Sequence, residues 1–463
     1  MNLIYGVKDK PQFKHLLVFA FQQVLAIMAA TIAVPAIIGN GMTAAAALFG
    51  AGVGTLVYQL FTKFRSPVFL GSSFAFLGSM FAAFAGGVSA SLGYMGLIMG
   101  AAMAGLVYVI IAVIVRLCGT NWVSKLMPAV VIGPTVAIIG LSLAGNAVGD
   151  LVSGTYDSGL SAYVFDASSG LHILCGLVTL AVTMLCSTYG KKMSRLIPFI
   201  LGILAGYGLA SVLTLIGSLS GIEVLKLVNF TPFADLFREI TVSSFIAVPE
   251  FTFIKAFGAF GEINGAYIGT IAMAYIPVAF VVFAEHIADH KNLSTIIDKD
   301  LLQDPGLDKT LLGDGVGSMV GAFFGGCPNT TYGESVGCVA ITRNASVITI
   351  TTAAVMCILI SFISPFVAFL STIPSFVMGG VCIALYGFIA VSGLKMLQKV
   401  DLGDNKNLFV ASIILITGIG NLALAFGQIT LRTVACSLIL GILTNLMLSR
   451  KAKEAPVDET FPE

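Results

Sequence analysis

SSFA (72–75) and TTYG (330–333) are the two stretches that decide the fold of this 463-residue chain. Both follow the order hydroxyl, hydroxyl, aromatic, small residue. The first lies within the hydrophobic run 68–87, and the second overlaps the start of the run 331–343. Both runs are short or interrupted by Gly and hydroxyl residues and are therefore weak as ordinary membrane-spanning helices. Four similar residues can match by chance, so the two stretches gain meaning only from their positions in the whole chain.

The composition is that of a polytopic membrane protein. Hydrophobic residues make up 57% and charged residues 10% of the chain, with a mean hydropathy of +0.99, whereas soluble domains have about 25% charged residues. A spanning helix needs roughly 20 apolar residues. Fourteen hydrophobic segments are predicted, in chain order 13–39, 43–62, 68–87, 91–117, 122–147, 170–189, 195–219, 266–290, 310–327, 331–343, 345–371, 374–396, 407–425 and 429–449.

The positive charges support this count of segments. An even number of spans places both termini on one side, and with both in the cytoplasm 20 of the 24 basic residues fall on the cytoplasmic side, as the positive-inside rule expects. Omitting either weak segment alone would invert every later loop. Both weak segments therefore cross the membrane, or else form a re-entrant pair.

Fourteen segments divide into two sevens, and an odd-numbered half must repeat upside down in the bilayer. The two weak segments are then the third of each half, segments 3 and 10. Short, broken segments at matching positions point to the substrate site of a transporter, because a broken backbone frees N–H groups and helix N-termini to face a ligand near the midplane.

Several other classes of protein are excluded or unsupported. The net charge of +1 offers no basic surface for nucleic acid, and we expect no nucleic-acid partner. There is no P-loop, dinucleotide fingerprint, CxxC or HExxH motif, so we expect no enzyme activity, no cofactor and no metal. Transport is then expected to be coupled to an ion gradient or to be uncoupled. The eight cysteines have no metal-ligand spacing, and the start of the chain has no signal peptide.

Acidic residues in or beside predicted spans are the candidates for chemistry, because an ionised group at the bilayer centre is costly. They are Glu285, Asp289, Asp314 and Glu334. Glu285 and Asp289 are four residues apart and share one helical face, a pattern that suits the binding of a proton. The apolar run ends at Ala284, so a solvated helix end at the cytoplasmic rim is the alternative for this pair. Asp314 is expected to be a helix-terminal or packing residue.

The sequence resembles a known family in the stretches around these residues. AEHIADH (284–290), DPGLDKTLLGDG (304–315), GGCPNTTYGESVGCVAITR (325–343) and VMGGVCIALYGFIAVSG (377–393) are similar to the bacterial uracil permeases of the nucleobase–cation symporter 2, or nucleobase/ascorbate transporter, family. The similarity extends from QQVLAIMAATIAVP (22–35) to the last span. PNTTYGE followed by ITR is its most specific part.

The resemblance implies an all-α polytopic fold of fourteen segments as a 7+7 inverted repeat, with a short strand in each of segments 3 and 10. A core domain would comprise 1–120 and 266–372 and a gate domain 121–220 and 373–450, with an extracellular connection at 221–265 and a cytoplasmic tail at 451–463. The family often forms homodimers. The implied location is the cell inner membrane, with several passes.

The resemblance also implies residue roles. Glu285 and Glu334 would be the substrate carboxylates, accepting from ring N–H groups, while the backbone N–H groups of Phe74 and Gly333 donate to the ring carbonyls. Tyr332 and Tyr386 would lie near the ring. Gln22 and Gln23 match a polar pair on segment 1.

One departure concerns coupling. Family members often have a histidine one turn after the first glutamate, where this chain has Asp289 followed by His290. Glu285, Asp289 and His290 are therefore all candidates to carry the proton, and we expect Glu285 and Asp289 to share it. The predicted function is import of uracil with protons. A xanthine or uric acid symporter is the alternative, and an anion exchanger or channel with the same fold is a weaker one.

Overall fold

The computed structural model describes residues 3–119, 121–154, 156–191, 193–398, 400–426, 429–431 and 433–451. All fourteen predicted segments correspond to elements in this part of the chain. The predicted tail at 451–463 lies outside the described residues except for Lys451.

In the first half, the helices of segments 1, 2 and 4 are Phe13–Ile38, Ala44–Phe61 and Ala90–Cys118. Segment 3 is the strand Leu70–Ser72, the 3-10 turn Phe74–Phe76 and the helix Leu77–Ala83. Segment 5 comprises Asn121–Leu126, Ala129–Ser142 and Ala144–Val152, segment 6 is Ala167–Tyr189, and segment 7 is Pro198–Ser220 after a short helix Met193–Leu196. Strands Tyr156–Asp157 and Ala162–Tyr163 form a hairpin between segments 5 and 6.

The connection to the second half consists of short helical pieces, Glu223–Leu225, Thr231–Arg238, Val242–Ser244, Thr252–Ala256 and Phe257–Ala259. Segment 8 is Gly265–Ile297, and a π-helical turn Leu302–Gly306 leads into segment 9, Leu307–Gly325. Segment 10 is the strand Asn329–Thr331 and the helix Gly333–Thr342. Segments 11, 12, 13 and 14 are Val347–Ile360 with Ser364–Ser371, Ser375–Leu397, Asn405–Ile419 and Thr433–Lys451, with a hairpin of Leu424–Phe426 and Ile429–Leu431 before the last.

Two predicted segments are broken helices rather than continuous spans, and proline marks a break in each. In segment 5 the backbone of Pro128 is extended, directly before the helix that starts at Ala129. In segment 11 a new helix starts at Ser364 with Pro365 in its first turn. The residue before a proline disfavours the helical conformation, and proline itself is tolerated only in the first turn of a helix.

Helix lengths and surface composition fit a membrane environment. Within the described residues, eight helices are long and apolar enough to span a bilayer, and shorter apolar helices lie in segments 3, 11, 13 and 14. On segment 4, Leu106, Ile110, Val113 and Leu117 are 49–78% exposed. Their spacing of three and four residues places them on one outward helical face, as expected of a face that contacts lipid.

The packing of the helices repeats after seven segments. Segment 4 packs against segments 8 and 9, as segment 11 packs against segments 1 and 2. Segment 5 packs against segment 13, as segment 12 packs against segment 6. Segments 2 and 9, 3 and 10, and 5 and 12 also pack against each other, and each of these pairs consists of two segments that correspond in the repeat. The predicted repeat of seven segments is thus confirmed. Segments 1–4 and 8–11 contact one another more than they contact segments 5–7 and 12–14, so the helices form two packed groups.

Glycine allows segments 2 and 9 to approach at their crossing. A Cβ added to Gly50 would lie 2.4 Å from the carbonyl oxygen of Gly321, and one added to Gly54 would lie 2.7 Å from that of Gly317. Both pairs are spaced by four residues, the small-residue pattern that lets membrane helices pack closely. This close contact holds together the two helices that come directly before segments 3 and 10.

The predicted strands of segments 3 and 10 are confirmed, and they pair with each other. The pairing is antiparallel, with Leu70 opposite Thr331 and Ser72 opposite Asn329. Segment 2 helps to hold both strands: the Thr55 hydroxyl accepts from the Leu70 N–H at 2.9 Å, and the Asn329 amide donates to the Gly50 carbonyl at 3.0 Å. Irregular backbone is tolerated at membrane depth only when its polar groups are satisfied in this way.

Candidate functional site

The strand pair places the ends of two short helices beside each other. The 3-10 turn of segment 3 begins at Phe74 and the helix of segment 10 begins at Gly333. Both residues line a narrow cavity of about 50 Å³. Because the first N–H groups of a helix have no partner within it, the end of segment 10 presents donors and a partial positive charge to this cavity.

Two carboxylates from different parts of the chain meet at the same cavity. Glu285 of segment 8 and Glu334 of segment 10 both line it, together with the hydroxyl residues Ser73 and Thr330. Val136 and Ile389 of segments 5 and 12 close the opposite side. The narrow cavity therefore lies between the two packed groups of segments.

A wide cavity of about 390 Å³ continues from the narrow one. Glu285, Gly333 and Glu334 line both, and Asp289 lines the wide cavity. The wide cavity reaches the protein surface, where Arg195 is exposed and Ile341 is 47% exposed. Glu285 does not lie at the end of its helix, which continues for twelve residues to Ile297.

Asp289 is held by a hydroxyl of segment 10. Thr331, the last residue of the strand, donates from Oγ1 to Asp289 Oδ2 at 2.7 Å. Asp289 lies one turn after Glu285 on the cavity side of segment 8. Three acidic side chains, those of Glu285, Asp289 and Glu334, therefore line one cavity.

The predicted aromatic residues have different positions. Tyr332 lines the narrow cavity, and its hydroxyl donates to the Ser72 carbonyl at 2.7 Å, which ties segment 10 to segment 3. Phe74 lines the cavity as well, and Tyr386 of segment 12 packs edge-on against it at 5.8 Å between ring centroids. Tyr386 is thus placed to support the Phe74 ring from behind.

His290 points away from both cavities. Its Nδ1 lies 2.8 Å from the His286 carbonyl and its Nε2 lies 2.7 Å from the Tyr58 hydroxyl. A carbonyl only accepts, so Nδ1 carries a hydrogen, and the Tyr58 hydroxyl bonds Ser66 as well at 2.7 Å. The structure brings Glu285, Asp289 and Glu334 together but leaves His290 in a separate contact with segment 2.

The structure also contains a buried pair that sequence reasoning missed. His286 Nδ1 lies 2.6 Å from Asp314 Oδ2, and His286 Nε2 lies 3.0 Å from the Thr310 hydroxyl. Asp314 is the eighth residue of its helix and fully buried, so of its two expected positions, helix-terminal or packing, the second describes it. An intramembrane acid and an intramembrane histidine on successive spans are the signal that could have suggested this pair.

The polar pair on segment 1 has a structural contact with segment 10. The side-chain amide of Gln23 donates to the Ser335 hydroxyl, and both residues are buried. Segment 1 is thereby attached to the helix that carries Glu334.

Comparisons with known proteins place the chain in a family. Residues 14–426 match the model of the Permease family, Xan_ur_permease. The chain belongs to this permease family. The resemblance seen in the sequence is thereby confirmed, and a permease is a transporter rather than an enzyme.

Curated relatives cover almost the whole chain. It is 38% identical to "Uracil permease" of Bacillus caldolyticus over 98% of this chain and 96% of that protein, and 32% identical to "Uracil permease" of Escherichia coli (strain K12) over 96% and 93%. It is 30% identical to "Putative pyrimidine permease RutG" of the same organism over 97% and 93%.

Solved structures support the fold. The transmembrane domain of the cyanobacterial bicarbonate transporter BicA superposes with a TM-score of 0.62 at 14% identity, covering 95% of this chain and all of that one. The murine anion transporter Slc26a9 superposes with a TM-score of 0.61 at 12% identity, covering 98% and 72%. The all-α multi-pass fold with a core and a gate is confirmed, and at these identities the likeness concerns the fold alone.

Proposed function

We propose that this permease imports uracil, or a closely related nucleobase, together with protons. The observation that carries the proposal is the meeting of Glu285 and Glu334 in one cavity between the two packed groups. Relatives that bear the name uracil permease support it at 32–38% identity over nearly the whole chain.

The cavity chemistry fits a flat ring with amide edges. The carboxylates of Glu285 and Glu334 accept from ring N–H groups, and charge-assisted hydrogen bonds are stronger than neutral ones. The backbone N–H groups of Phe74 and Gly333 donate to ring carbonyls. The rings of Phe74 and Tyr332 contact the apolar face, and Tyr386 backs the Phe74 ring.

Coupling, in this proposal, rests on Glu285 and Asp289. Two carboxylates one turn apart in a poorly hydrated site do not both ionise cheaply, so a single proton is shared between them. Asp289 is the better placed partner, since it lines the wide cavity while the ring of His290 is bonded to Tyr58. A membrane potential supplies about 2.3 kcal/mol per elementary charge per 100 mV.

Transport would proceed by alternating access. The core, residues 1–120 and 266–372, moves against the gate, residues 121–220 and 373–450, and the narrow cavity at their boundary opens to each side in turn. We further propose a homodimer in the cell inner membrane with both termini in the cytoplasm, the orientation that the positive-inside rule favours.

Uptake into proteoliposomes tests substrate and coupling together. Purified protein is reconstituted, and accumulation of labelled uracil is measured with and without an inward pH gradient, in the presence of unlabelled uracil or xanthine. We expect accumulation that requires the gradient and competition by uracil. Stronger competition by xanthine would overturn the substrate, and accumulation indifferent to the gradient would overturn proton coupling.

A variant tests the role of Asp289. Asp289→Asn keeps the acceptor oxygen for Thr331 but cannot ionise, so we expect uptake with a flattened pH dependence. Asp308→Asn, in the first turn of segment 9, is the matched control and should retain the normal profile. An unaltered pH dependence in Asp289→Asn would refute the assignment.

A xanthine or uric acid symporter of the same family is the second candidate. The sequence around the site, with Pro328 before Asn329 and Glu334 directly after Tyr332-Gly333, resembles the pyrimidine carriers of the family more than its purine carriers, so a pyrimidine is favoured. An anion exchanger is less well supported. The titles of the two solved structures name bicarbonate and anion transport, yet carboxylates at a helix N-terminus oppose the binding of an anion there.

A further inference from the structure

A third cavity lies beyond the narrow one. It has a volume of about 160 Å³ and shares Phe74, Ala75 and Ile139 with the narrow cavity. We call it the far cavity. The polar residues Ser142, Asn146, Asn421 and Thr433 line its other side.

The three cavities follow one another along two helical segments. With rising residue number they come in the order wide, narrow, far on segment 5 and in the opposite order on segment 8. On segment 5, Val136 lines the wide and narrow cavities, Ile139 the narrow and far ones, and Asn146 the far one. On segment 8 the order runs backwards, from Val278 at the far cavity to Glu285 at the narrow and Asp289 at the wide one. The far cavity therefore continues the same path on the opposite side of the narrow cavity.

The spacing along segment 8 separates the two polar regions. Val278 and Glu285 are seven residues apart, which corresponds to about 10 Å along a helix. A small ring in the far cavity is thus too distant to contact both carboxylates at once. The side chains of Phe74 and Ile139 form the partition between the two spaces.

The lining of the far cavity is neutral and divides into an apolar and an amide part. None of the described residues that line it is charged. Asn421 Oδ1 accepts from the Thr433 hydroxyl at 2.7 Å, which leaves its NH2 group as a donor. The Asn146 side chain has no hydrogen-bond partner within the described residues, so it offers both a donor and an acceptor.

This lining has the chemistry of a small-molecule pocket. Apolar walls with a few polar groups are typical of ligand sites, and an amide side chain complements a ring edge on which N–H and C=O groups adjoin. We propose that the far cavity is a second, weaker subsite for the neutral nucleobase, occupied before or after the Glu285 and Glu334 site. The proposal rests on the proposed function, because it takes the same ligand class.

Cysteine protection tests the subsite directly. In a background of Cys118→Ser with Cys186→Ser, Asn146→Cys is modified by a thiol reagent in purified protein, with and without uracil. The same measurement is made with Glu334→Gln added, which disables the main site. We expect uracil to slow modification several-fold in both proteins.

Two other results would overturn the subsite. Protection that disappears with Glu334→Gln would mean that uracil acts at the main site and changes the far cavity only through conformation. Absence of protection in both proteins would mean that uracil does not enter. Equilibrium binding of labelled uracil to the protein with Glu334 intact is measured in parallel, so that a failure of the proposed function is recognised separately from a failure of the subsite.

Further variants guard against misfolding and nonspecific effects. Ser142→Cys provides an independent position in the same cavity and should show the same protection. Asn229→Cys, on the exposed connection between the halves, should show none. Adding Asn421→Ala to Asn146→Cys should raise several-fold the uracil concentration needed for half protection, and an unchanged concentration would contradict a role for that amide.

Discussion

Segments 3 and 10 have the same backbone plan but opposite side-chain chemistry. Each is a three-residue strand followed by a short helical element, and the strands pair with each other. Segment 10 places the Glu334 carboxylate in the narrow cavity and bonds Asp289 through Thr331. Segment 3 has Phe76 at the position that corresponds to Glu334, and it presents the ring of Phe74 to two cavities.

The difference shows how an inverted repeat can form an asymmetric site. The repeat fixes where the backbone breaks and which ends meet, since a broken strand pair is stable only if both halves contribute. The side chains are then free to differ. We infer that backbone N–H groups of both segments contact the ligand, whereas the side chains differ: Glu334 of segment 10 binds the polar edge of the ligand, and Phe74 of segment 3 provides an apolar wall.

Glu334→Gln is the strongest test of this division. Hydrogen bonds to charged groups contribute about 1.5–3 kcal/mol, so we expect uracil binding about 10–100-fold weaker, measured as the Kd of purified protein. Glu262→Gln, exposed in the loop before segment 8, is the control and should bind normally. An unchanged Kd for uracil in Glu334→Gln would show that the Glu334 side chain of segment 10 does not bind the polar edge of the ligand.

Phe74→Ala tests the role of segment 3. The change removes the ring that the proposed site packs against the ligand, an aromatic contact worth about 0.5–1.5 kcal/mol beyond its buried area, and it joins the narrow and far cavities. We expect binding weakened by about tenfold, again measured as Kd. Phe81→Ala changes only the far cavity and should affect Kd much less. Equal effects of the two variants would show that the partition is not at Phe74.

Thr331→Val compares mirror-related hydroxyls. Ser73 of SSFA corresponds to Thr331 of TTYG, yet its hydroxyl has no hydrogen-bond partner within the described residues, whereas Thr331 bonds Asp289. We expect Thr331→Val to lower the uptake rate a few-fold and to alter its pH dependence, and Ser73→Ala to leave the pH dependence unchanged. The reverse ranking would remove Thr331 as the residue that positions Asp289.

Much of the fold could be predicted because it depends on local properties of the sequence. Hydropathy located all fourteen segments, and the strands lie within the first weak run and at the start of the second. The meeting of Glu285 and Glu334 was predicted partly from the repeat and partly from family resemblance. The breaks in segments 5 and 11 were missed although Pro128 and Pro365 mark them, because mean hydropathy does not register a break inside an apolar run.

Contacts between distant segments could not be predicted in the same way. The packing of segments 8, 9 and 10 decides which side chain accepts the hydrogen bond from the Thr331 hydroxyl and which side chain pairs with Asp314. His290 shows the same limit: its position beside Asp289 suggested the cavity, but one residue along a helix rotates the side chain by about 100°. It consequently bonds Tyr58 on segment 2.

The smallest expected effect concerns the ion pairs that join the residues just before segment 3 to the turn just before segment 9. Arg65, just before segment 3, lies 3.0 Å from Asp304 in the loop before segment 9, and Lys299 lies 2.7 Å from the same carboxylate. Hydrogen bonds from Lys299 and Arg65 hold the pKa of Asp304 below its usual value of about 3.9. Because Asp304 is about half exposed, we expect a contribution below about 1 kcal/mol.

The sign of its pH dependence follows from that lowered pKa. A carboxylate whose pKa is lower in the folded state stabilises the fold above its unfolded pKa and loses that contribution as the pH falls through the folded value. Asp304→Asn should therefore lower the melting temperature of purified protein slightly at pH 7. The difference from the unmodified chain should begin to shrink as the pH falls below about 4, vanish below the lowered pKa of Asp304 in the folded state, and also shrink in high salt. A difference in melting temperature that grew towards low pH would show that Asp304 acts in another way. Arg65→Gln should lower the melting temperature at pH 7 as Asp304→Asn does, if the pair of Arg65 and Asp304 is what contributes the stability.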